Sequence, residues 1–391
     1  FGGAEMIAHT LFKSNSENKL LVSEFKTLEH GVHKFETTFS DRFFAILTKL
    51  KWRFRPDSTF KEIFFLKDEF NHTYEKLKSL QIYKDADIVH LHNIHGGYFD
   101  LSALEHIGKE KKIVWTLHDM WCMTGGEAYT FDNENYKKGI GRTPFLHVPP
   151  LNNPIVDRRQ KFIEQKKQIY ERIKTNIVFV PVSNWLEKCF KGAYVFNEKL
   201  NVQTIHNGCD THTFNINNRI ISDTCRIIIF NSHSPFKGSE ILKEVLESIE
   251  TPFELITIGK KIVLQNTCMI NQKEYDYVAD RKMLASVYNS ADVLIFPSKA
   301  EAFGLIPLES MACGVCVFAS NVGGIPEIIE HGKTGFLFNS AADLIDLLKN
   351  TIHEKANISE IGQHAAKVVK EKFSLEEMVQ KYDKLYAEML Q

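Results

Sequence analysis

An excess of charge of either sign is missing from this chain. Its 391 residues carry 48 lysines and arginines against 49 aspartates and glutamates, a formal net charge of −1. That balance gives no electrostatic reason to expect nucleic acid as a partner, and any basic behaviour must be local. Long apolar runs are missing too. No stretch approaches the ~20 residues that a spanning helix needs, which leaves only peripheral membrane contact. Cysteine is sparse and odd in number, seven in all (Cys122, Cys189, Cys209, Cys225, Cys268, Cys313 and Cys316), and no secretory signal precedes them. Such usage argues against a disulfide scaffold and points to a reducing cytoplasm. An initial Met is absent: the chain opens on Phe1-Gly2-Gly3 as if a first strand were lost, so the expectation is an incomplete N-terminus. G-x-G-x-x-G does not occur at Gly2-Gly3 and no ribose-binding acid follows at the right distance, which argues against an NAD-linked oxidoreductase. Short-period repeats and low-complexity tracts are also lacking.

What is present is a recurrent alternation. The length exceeds what one hydrophobic core usually organises, so two domains of about 200 residues each are expected. Short runs rich in β-branched residues recur between longer helical stretches: Lys19–Phe25, Ala86–His92, Lys112–Leu117, Asn176–Val182, Val202–Ile205, Arg226–Phe230, Phe253–Ile258, Asp292–Phe296 and Val315–Ala319. This is the pattern of βαβ units and parallel sheets, an α/β fold class. Polar, Asn-rich sequence from Asn207 to Asp223 has no hydrophobic period and marks a linker, giving expected domains over 1–208 and 209–373. Ser374 to Gln391 reads as a closing helix with an N-cap serine and Glu376 and Glu377 in its first turn.

The richest segment for chemistry is Pro297 to Glu309, P-S-K-A-E-A-F-G-L-I-P-L-E. A buried strand ends at Pro297, a loop carries Glu301, and a helix starts near Gly304 with Pro307 tolerated in its first turn. At about 100° per residue, Leu305, Leu308 and Ala312 share a face and Glu309 lies roughly 40° from Leu305. A carboxylate at the border of a buried arc needs hydrogen-bond donors, and a sugar diol would supply them. The backbone N–H groups of Phe303, Gly304 and Leu305 at the helix start suit an anion or a hydroxyl. An ordinary helix with an acid favoured by its dipole is the plain alternative.

E-A-F-G-L-I-P-L-E resembles the E-x-F-G-x-x-x-x-E motif of the retaining GT-B glycosyltransferases, the group 1 or family 4 enzymes that include sucrose-phosphate synthases and bacterial polysaccharide transferases. The following E-S-M-A-C-G-V-C-V-F-A-S-N-V-G-G-I-P-E resembles them in order and spacing, as do G-G-A-E at Gly2, T-L-H-D at Thr116, V-S-N-W at Val182, H-N-G-C-D at His206, S-P-F-K-G at Ser234 and A-D-V-L-I-F-P-S at Ala291. The resemblance implies a GT-B fold of two facing Rossmann-like domains with the donor in the cleft, and a C-terminal helix, 374–391, crossing back to the first domain. It implies transfer of a hexose from a UDP- or GDP-linked sugar to a glycan or lipid-linked glycan, with retention and with no metal or other cofactor. Glu309 would hold the ribose hydroxyls, Glu301 would contact the hexose, Lys237 would neutralise the diphosphate and His118 would sit over the sugar. Phe303, Gly304 and Leu305 would complete the donor site, and the Gly2-Gly3 turn would bring backbone close to phosphate or acceptor. Stabilising charge that grows on a departing diphosphate is the physical task of such a lysine and of helix-start amides.

Departures from the pattern are equally specific. Many members carry an arginine shortly before the lysine, whereas here the order is Asn231-Ser232-His233-Ser234-Pro235-Phe236-Lys237, which leaves Lys237 nearly alone unless His233 helps. Thr124 to Pro144 resembles a loop that bears cysteines in some bacterial relatives, but has Glu127, Asn133, Ile140 and Thr143 instead, so a shaping role at the acceptor pocket is expected. Two other functions stay open: a nucleotide-sugar 2-epimerase of the same architecture, and an inactive subunit that binds a partner transferase.

Several features carry weaker signals. Arg42 to Arg55 interleaves large apolar residues with Lys49, Lys51, Arg53 and Arg55 and no acid. It reads either as a basic, aromatic segment resting on anionic lipid or as a helix with an apolar core face and a solvated basic face. Asp85-Ala86-Asp87 precedes a buried strand, away from the strand end where α/β sites collect, and reads as structural. His90, His92 and His95 form H-x-H-x-x-H; His90 and His92 share a strand face, no acid or cysteine nearby completes a zinc site, and the three read as strand-end histidines lining the cleft with Asn93. Cys313-Gly314-Val315-Cys316 is a lone C-x-x-C and reads as buried small residues.

Overall fold

The computed structural model describes residues 3–14, 20–22, 32–34, 73–95, 99–141, 159–217, 219, 222–232 and 234–391. Arg42–Arg55, Gly2, His233 and Thr143 lie outside the described residues. The chain divides into two compact units, Phe1–Ile205 with Tyr382–Gln391, and His206–Lys381.

The first unit is built on a parallel four-stranded sheet of β3 (Ile88–Leu91), β4 (Lys112–Leu117), β5 (Ile177–Pro181) and β6 (Asn201–Val202) in that spatial order. A separate parallel pair joins β1 (Leu20–Val22) to β2 (Val32–Lys34). Its helices are α1 (Gly3–Ser14), α2 (Thr73–Ser79), α3 (Gln81–Asp85), α4 (Ala103–Glu110), α5 (Arg159–Ile173) and α6 (Asn184–Lys191). Every residue of β5 is buried, as is all of β4 after Lys112, because helices cover both faces of a parallel sheet. Aromatic rings fill one side, with Phe179 4.6 Å from Phe190 and 5.0 Å from Tyr170 between ring centroids. Each such side chain contributes about 1.5–3 kcal/mol through burial. Ser183 fixes the start of α6 by accepting a hydrogen bond from the Leu186 N–H at 3.1 Å.

The second unit holds a parallel six-stranded sheet in the order β12-β11-β10-β7-β8-β9. These strands are β7 (Cys225–Asn231), β8 (Phe253–Gly259), β9 (Met269–Tyr275), β10 (Val293–Phe296), β11 (Cys316–Ser320) and β12 (Phe336–Phe338). From β7 the chain builds outward through β8 and β9, then returns to lay β10 on the other side of β7. The strand order therefore reverses between β7 and β10, the switch point where α/β sheets open a crevice at their carboxyl ends. Arg226 and Asp292 lock the opposite ends of these two strands, with Nε to Oδ2 at 3.0 Å and a terminal guanidinium nitrogen to Oδ1 at 2.9 Å. The helices are α7 (Leu242–Glu247), α8 (Arg281–Asn289), α9 (Leu305–Ala312), α10 (Ile325–Ile328), α11 (Ala341–Thr351), α12 (Lys355–Lys372) and α13 (Leu375–Leu390).

The Asn-rich stretch after His206 packs on the second unit. The Cys209 N–H donates to the Phe373 carbonyl at 2.8 Å and the Leu375 N–H to the Cys209 carbonyl at 2.9 Å, while Phe214 is fully buried. Ser374 caps α13 through its Oγ, 3.3 Å from the Glu377 N–H. The last turns of α13 belong to the first unit, where Tyr382 and Leu385 are each 1% exposed. Among the described residues no helix is long and apolar enough to cross a membrane.

Candidate functional site

At the switch point, the loop after β7 and the loop after β10 meet. The first ends in a 3-10 turn over Pro235–Lys237, and the second runs from Pro297 to Gly304. The Lys299 N–H donates to the Phe236 carbonyl at 2.7 Å and the Ser298 hydroxyl to the same oxygen at 3.1 Å, so the two loops hold each other. Their tips bring the Lys237 ammonium 2.8 Å from the Glu301 carboxylate, with the pair partly exposed. Behind Glu301 the Gly324 N–H donates to its carbonyl at 3.0 Å. Gly323, at φ +58°, lies so close that a Cβ would overlap that carbonyl oxygen.

Gly304 sits at φ +106° as the N-cap of α9, and Pro307 occupies the first turn, as the sequence implied. The backbone N–H groups of Phe303, Gly304 and Leu305 donate to no group among the described residues, which leaves a helix start able to receive oxygen. The Phe303 ring is 2% exposed and anchors the turn, 5.6 Å from the His206 ring and 6.0 Å from Phe373. His206 is held by Glu327 at 2.8 Å.

Glu309 is more deeply placed than its helical position suggested. It is 4% exposed, because α9 is covered on nearly every side, whereas Leu305 is half-buried. Its Oε1 accepts from Arg281 at 3.0 Å, so the partner that physics demands for a buried acid is a guanidinium on α8. Burial pushes the Glu309 carboxyl above its ordinary range, with Arg281 pulling the other way. The sequence placed Tyr275–Arg281 in the base-contacting part of the second domain but did not pair Arg281 with Glu309. The two are 28 residues apart, and only the tertiary fold makes them neighbours.

In the first unit, β3 and β4 end in a cluster of imidazoles. His118 Nε2 and His92 Nδ1 are 2.9 Å apart, and His90 lies between Tyr386 at 2.7 Å and Thr116 at 2.8 Å. Thr116 continues the chain to Tyr382 at 2.7 Å. Burial lowers both His90 and His118 to about 3 and carries His92 well below its ordinary value, so all three are neutral at pH 7. A neutral His118 acts through hydrogen bonds and packing and brings no positive charge. Gly3 is the first residue of α1 and is exposed.

The segment following β4 is fastened by buried charge. Lys166, fully buried, donates to the carbonyls of Trp121 and Thr124 and lies 3.7 Å over the Trp121 ring. Glu127 pairs with Arg159 at 3.2 Å. Asp85 closes α3 and receives Gln81 Nε2 at 2.6 Å, ahead of β3. Cys313 and Cys316 are buried and unbridged. Among the described residues no group of three or more His, Cys, Asp or Glu is arranged to hold a metal ion. A separate cavity, lined by Phe214, Arg219, Asp292 and Lys355 among others, opens near the start of β10 and touches none of the expected site residues.

Comparison with known proteins bears on this geometry directly. The family profile "Glycosyl transferases group 1" matches residues 217–368. N-acetyl-alpha-D-glucosaminyl L-malate synthase of Bacillus anthracis is 32% identical over 331 residues, 78% of this chain and 76% of that protein. The chain belongs to the group 1 glycosyltransferases. A further relative is the colanic acid biosynthesis glycosyl transferase candidate WcaC of Escherichia coli K12, 24% identical over 347 residues and 82% of each chain. The fold of this glycosyltransferase is that of sucrose-phosphate synthase from Thermosynechococcus elongatus, at TM-score 0.67 and 16% identity, covering 100% of this chain and 94% of that one. HepE of Anabaena, solved in complex with UDP and glucose, matches at TM-score 0.64 and 16% identity over 99% and 96% of the two chains. Both are GT-B structures, so the glycosyltransferase has the GT-B fold anticipated from its motifs. Within it, Lys237, Arg281, Glu301 and Glu309 fall inside the profile-matched residues, and His118 falls outside them.

Proposed function

We propose that this glycosyltransferase moves a hexose from a UDP- or GDP-linked sugar to a glycan or lipid-linked glycan acceptor, with retention of the anomeric configuration and without a metal ion. The observation that carries this reading is the convergence, at the switch point of one parallel sheet, of a lysine, two carboxylates and a helix start with unused N–H groups. Lys237 and the amides of Phe303, Gly304 and Leu305 take the negative charge that grows on the diphosphate as the glycosidic bond breaks. Glu309 accepts from the ribose hydroxyls, and Glu301 accepts from the hexose. His118, kept neutral, contributes a hydrogen bond to the sugar. The acceptor hydroxyl attacks from the side of the leaving group and gives its proton to the departing phosphate oxygen, which accounts for retention without a carboxylate nucleophile. The likeness to HepE, whose complex contains UDP and glucose, supports a nucleotide-sugar as donor. Anionic lipid contact through Arg42–Arg55 belongs to the same reading and rests on the sequence alone. Flotation with anionic but not neutral liposomes supports it, and recovery in the soluble fraction with both counts against it.

The test is an incubation with UDP- and GDP-hexoses and a lipid-linked acceptor, with and without EDTA, following the anomeric proton of the product by NMR. An unchanged rate in EDTA and retained configuration are expected, and Lys237→Ala is expected to lower kcat/KM at least ~100-fold, the scale of a lost transition-state charge contact. Inverted product, or a nucleotide-sugar altered without any acceptor, removes this assignment.

A further inference from the structure

Arg281 opens α8 and is fixed from several sides. Asp280 caps that helix, its side chain accepting from the Met283 N–H at 2.9 Å. The guanidinium carbon lies 4.6 Å from the centroid of the Phe214 ring, and Phe214 is itself fully buried. The guanidinium reaches Glu309 Oε1 at 3.0 Å while 36% of the Arg281 side chain stays exposed. An arginine stacked on an aromatic face and ion-paired to a carboxylate is pre-organised, so little rotamer freedom is left to lose when a ligand arrives.

The groups facing the Glu309 carboxyl are Arg281 and Tyr288 from α8, Asp210 and Cys209 from the segment before β7, and Cys313 from the end of its own helix. Arg281 supplies the positive charge among them. Asp210 repels the carboxylate, and burial favours its neutral form. A neutral carboxyl offers a hydroxyl that donates, and it loses part of the acceptor capacity that two adjacent sugar hydroxyls require.

We infer that Arg281 is a positioning residue for the donor's ribose: through its ion pair it holds the Glu309 carboxylate in the acceptor-only form and in the orientation that a vicinal diol requires. The inference rests on the reading of Glu309 as the ribose contact and adds the residue that makes that contact strong. Removing Arg281 takes away the cation and leaves burial opposed by the Tyr288 hydroxyl, so Glu309 takes up a proton at higher pH and ribose recognition becomes pH-dependent.

The test compares UDP and GDP, each beside its 2′-deoxy counterpart, by calorimetry between pH 6 and pH 8, for wild type, Arg281→Lys and Arg281→Met. Wild type is expected to prefer the ribonucleotide by about tenfold across this range, the scale of one hydrogen bond to a charged acceptor. Arg281→Met is expected to lose most of that preference at pH 6 and recover part of it by pH 8. Arg281→Lys is expected to restore the flat profile, and 2′-deoxy affinity, which keeps the 3′-hydroxyl contact alone, is expected to change less than ribonucleotide affinity across the three, which shows the site intact. A tenfold, pH-independent ribose preference in Arg281→Met overturns the role of Arg281 and leaves the Glu309 reading standing. Equal affinity of wild type for ribo and deoxy forms overturns both, and no binding of either diphosphate overturns the donor site itself.

Discussion

Lys237 Nζ and Glu301 Oε2 are bonded at 2.8 Å, which joins the two loops delivered by β7 and β10. The ammonium proposed for the diphosphate is therefore engaged by the carboxylate proposed for the hexose. On that reading a diphosphate draws Lys237 away, and the exchange frees Glu301 for the sugar. For a pair this exposed, the competing contact is worth about 0.5–1 kcal/mol. Glu301→Gln is accordingly expected to bind UDP or GDP about two- to fivefold more tightly than wild type while its turnover falls. In a Lys237→Ala background the same change is expected to leave diphosphate affinity unaltered. Weaker binding of the diphosphate by Glu301→Gln in the wild-type background sinks the idea.

The backbone behind Glu301 gives a second expectation. Gly323 at φ +58° has the Glu301 carbonyl oxygen where a Cβ would go, whereas Gly332 at φ +78° has nothing within 4 Å. Gly332→Ala carries only the cost of a left-handed residue with a side chain, about 1–2 kcal/mol. Gly323→Ala adds an overlap that only movement of the Glu301 backbone relieves. Thermal unfolding is expected to show both variants destabilised, Gly323→Ala by about 1–3 kcal/mol more. Kinetics are expected to show kcat/KM reduced in Gly323→Ala alone. Equal kinetics in the two variants would mean that the Glu301 loop tolerates displacement.

The sequence disclosed the elements whose causes are local. Runs such as Arg226–Phe230 and Asp292–Phe296 are β-branched because both faces of a parallel sheet are covered, and the structure extends the first to Cys225–Asn231 and starts the second at Val293. Strand β9, M-I-N-Q-K-E-Y, escaped notice because it is the edge of its sheet with mostly exposed or half-buried side chains, which erases the apolar signature. Strand β12 has three residues, too few to show a period. Around the site, the motif read from Glu301 to Glu309 located the helix start and both acids. It could not show that Lys237 and Arg281 are their partners, 64 and 28 residues away, because ion pairs between elements distant in sequence leave no mark on sequence spacing. The histidines of β3 read as strand-end residues. Their link to the C-terminal tyrosines, 296 residues from His90 to Tyr386, was invisible for the same reason.

Those histidines make the first unit sensitive to acid. His90 and His118 protonate near 3 when folded, His92 well below its ordinary value, and each near 6.5 when unfolded. Below about pH 6.5 the unfolded chain binds protons that the folded unit refuses, so stability is present in full above that pH and is lost as pH falls toward 3. Each group contributes a slope of up to about 1.4 kcal/mol per pH unit. His95, raised by its hydrogen bond to Asp119 against the effect of burial, works in the opposite sense and offsets part of the loss. Trp115, Trp121 and Trp185 lie in the first unit, whereas Trp52 is outside the described residues, so fluorescence read in a Trp52→Phe background follows that unit selectively. The urea midpoint read this way is expected to fall between pH 7.5 and pH 5.5, and to fall less in His92→Gln. A midpoint independent of pH over that interval would contradict neutral, buried imidazoles.

The same fluorescence tests the buried pair beneath the segment after β4. Arg159 and Glu127, 9% and 2% exposed in their side chains, lie 3.2 Å apart, and Gly141 packs against the Arg159 backbone so closely that a Cβ would collide with it. Taking the cation away removes the paired charge from a carboxylate that is 2% exposed, so Arg159→Met is expected to cost about 3–5 kcal/mol. Neutralising the acid as well removes that penalty, and the double variant Arg159→Met/Glu127→Gln is expected to recover most of the loss, as a double-mutant cycle measures. If this segment holds its shape for the acceptor, the single variant's KM for acceptor rises while its affinity for UDP or GDP stays at the wild-type value. Additive destabilisation in the cycle would show that the two charges are not coupled, and an unchanged acceptor KM would separate the segment from acceptor binding.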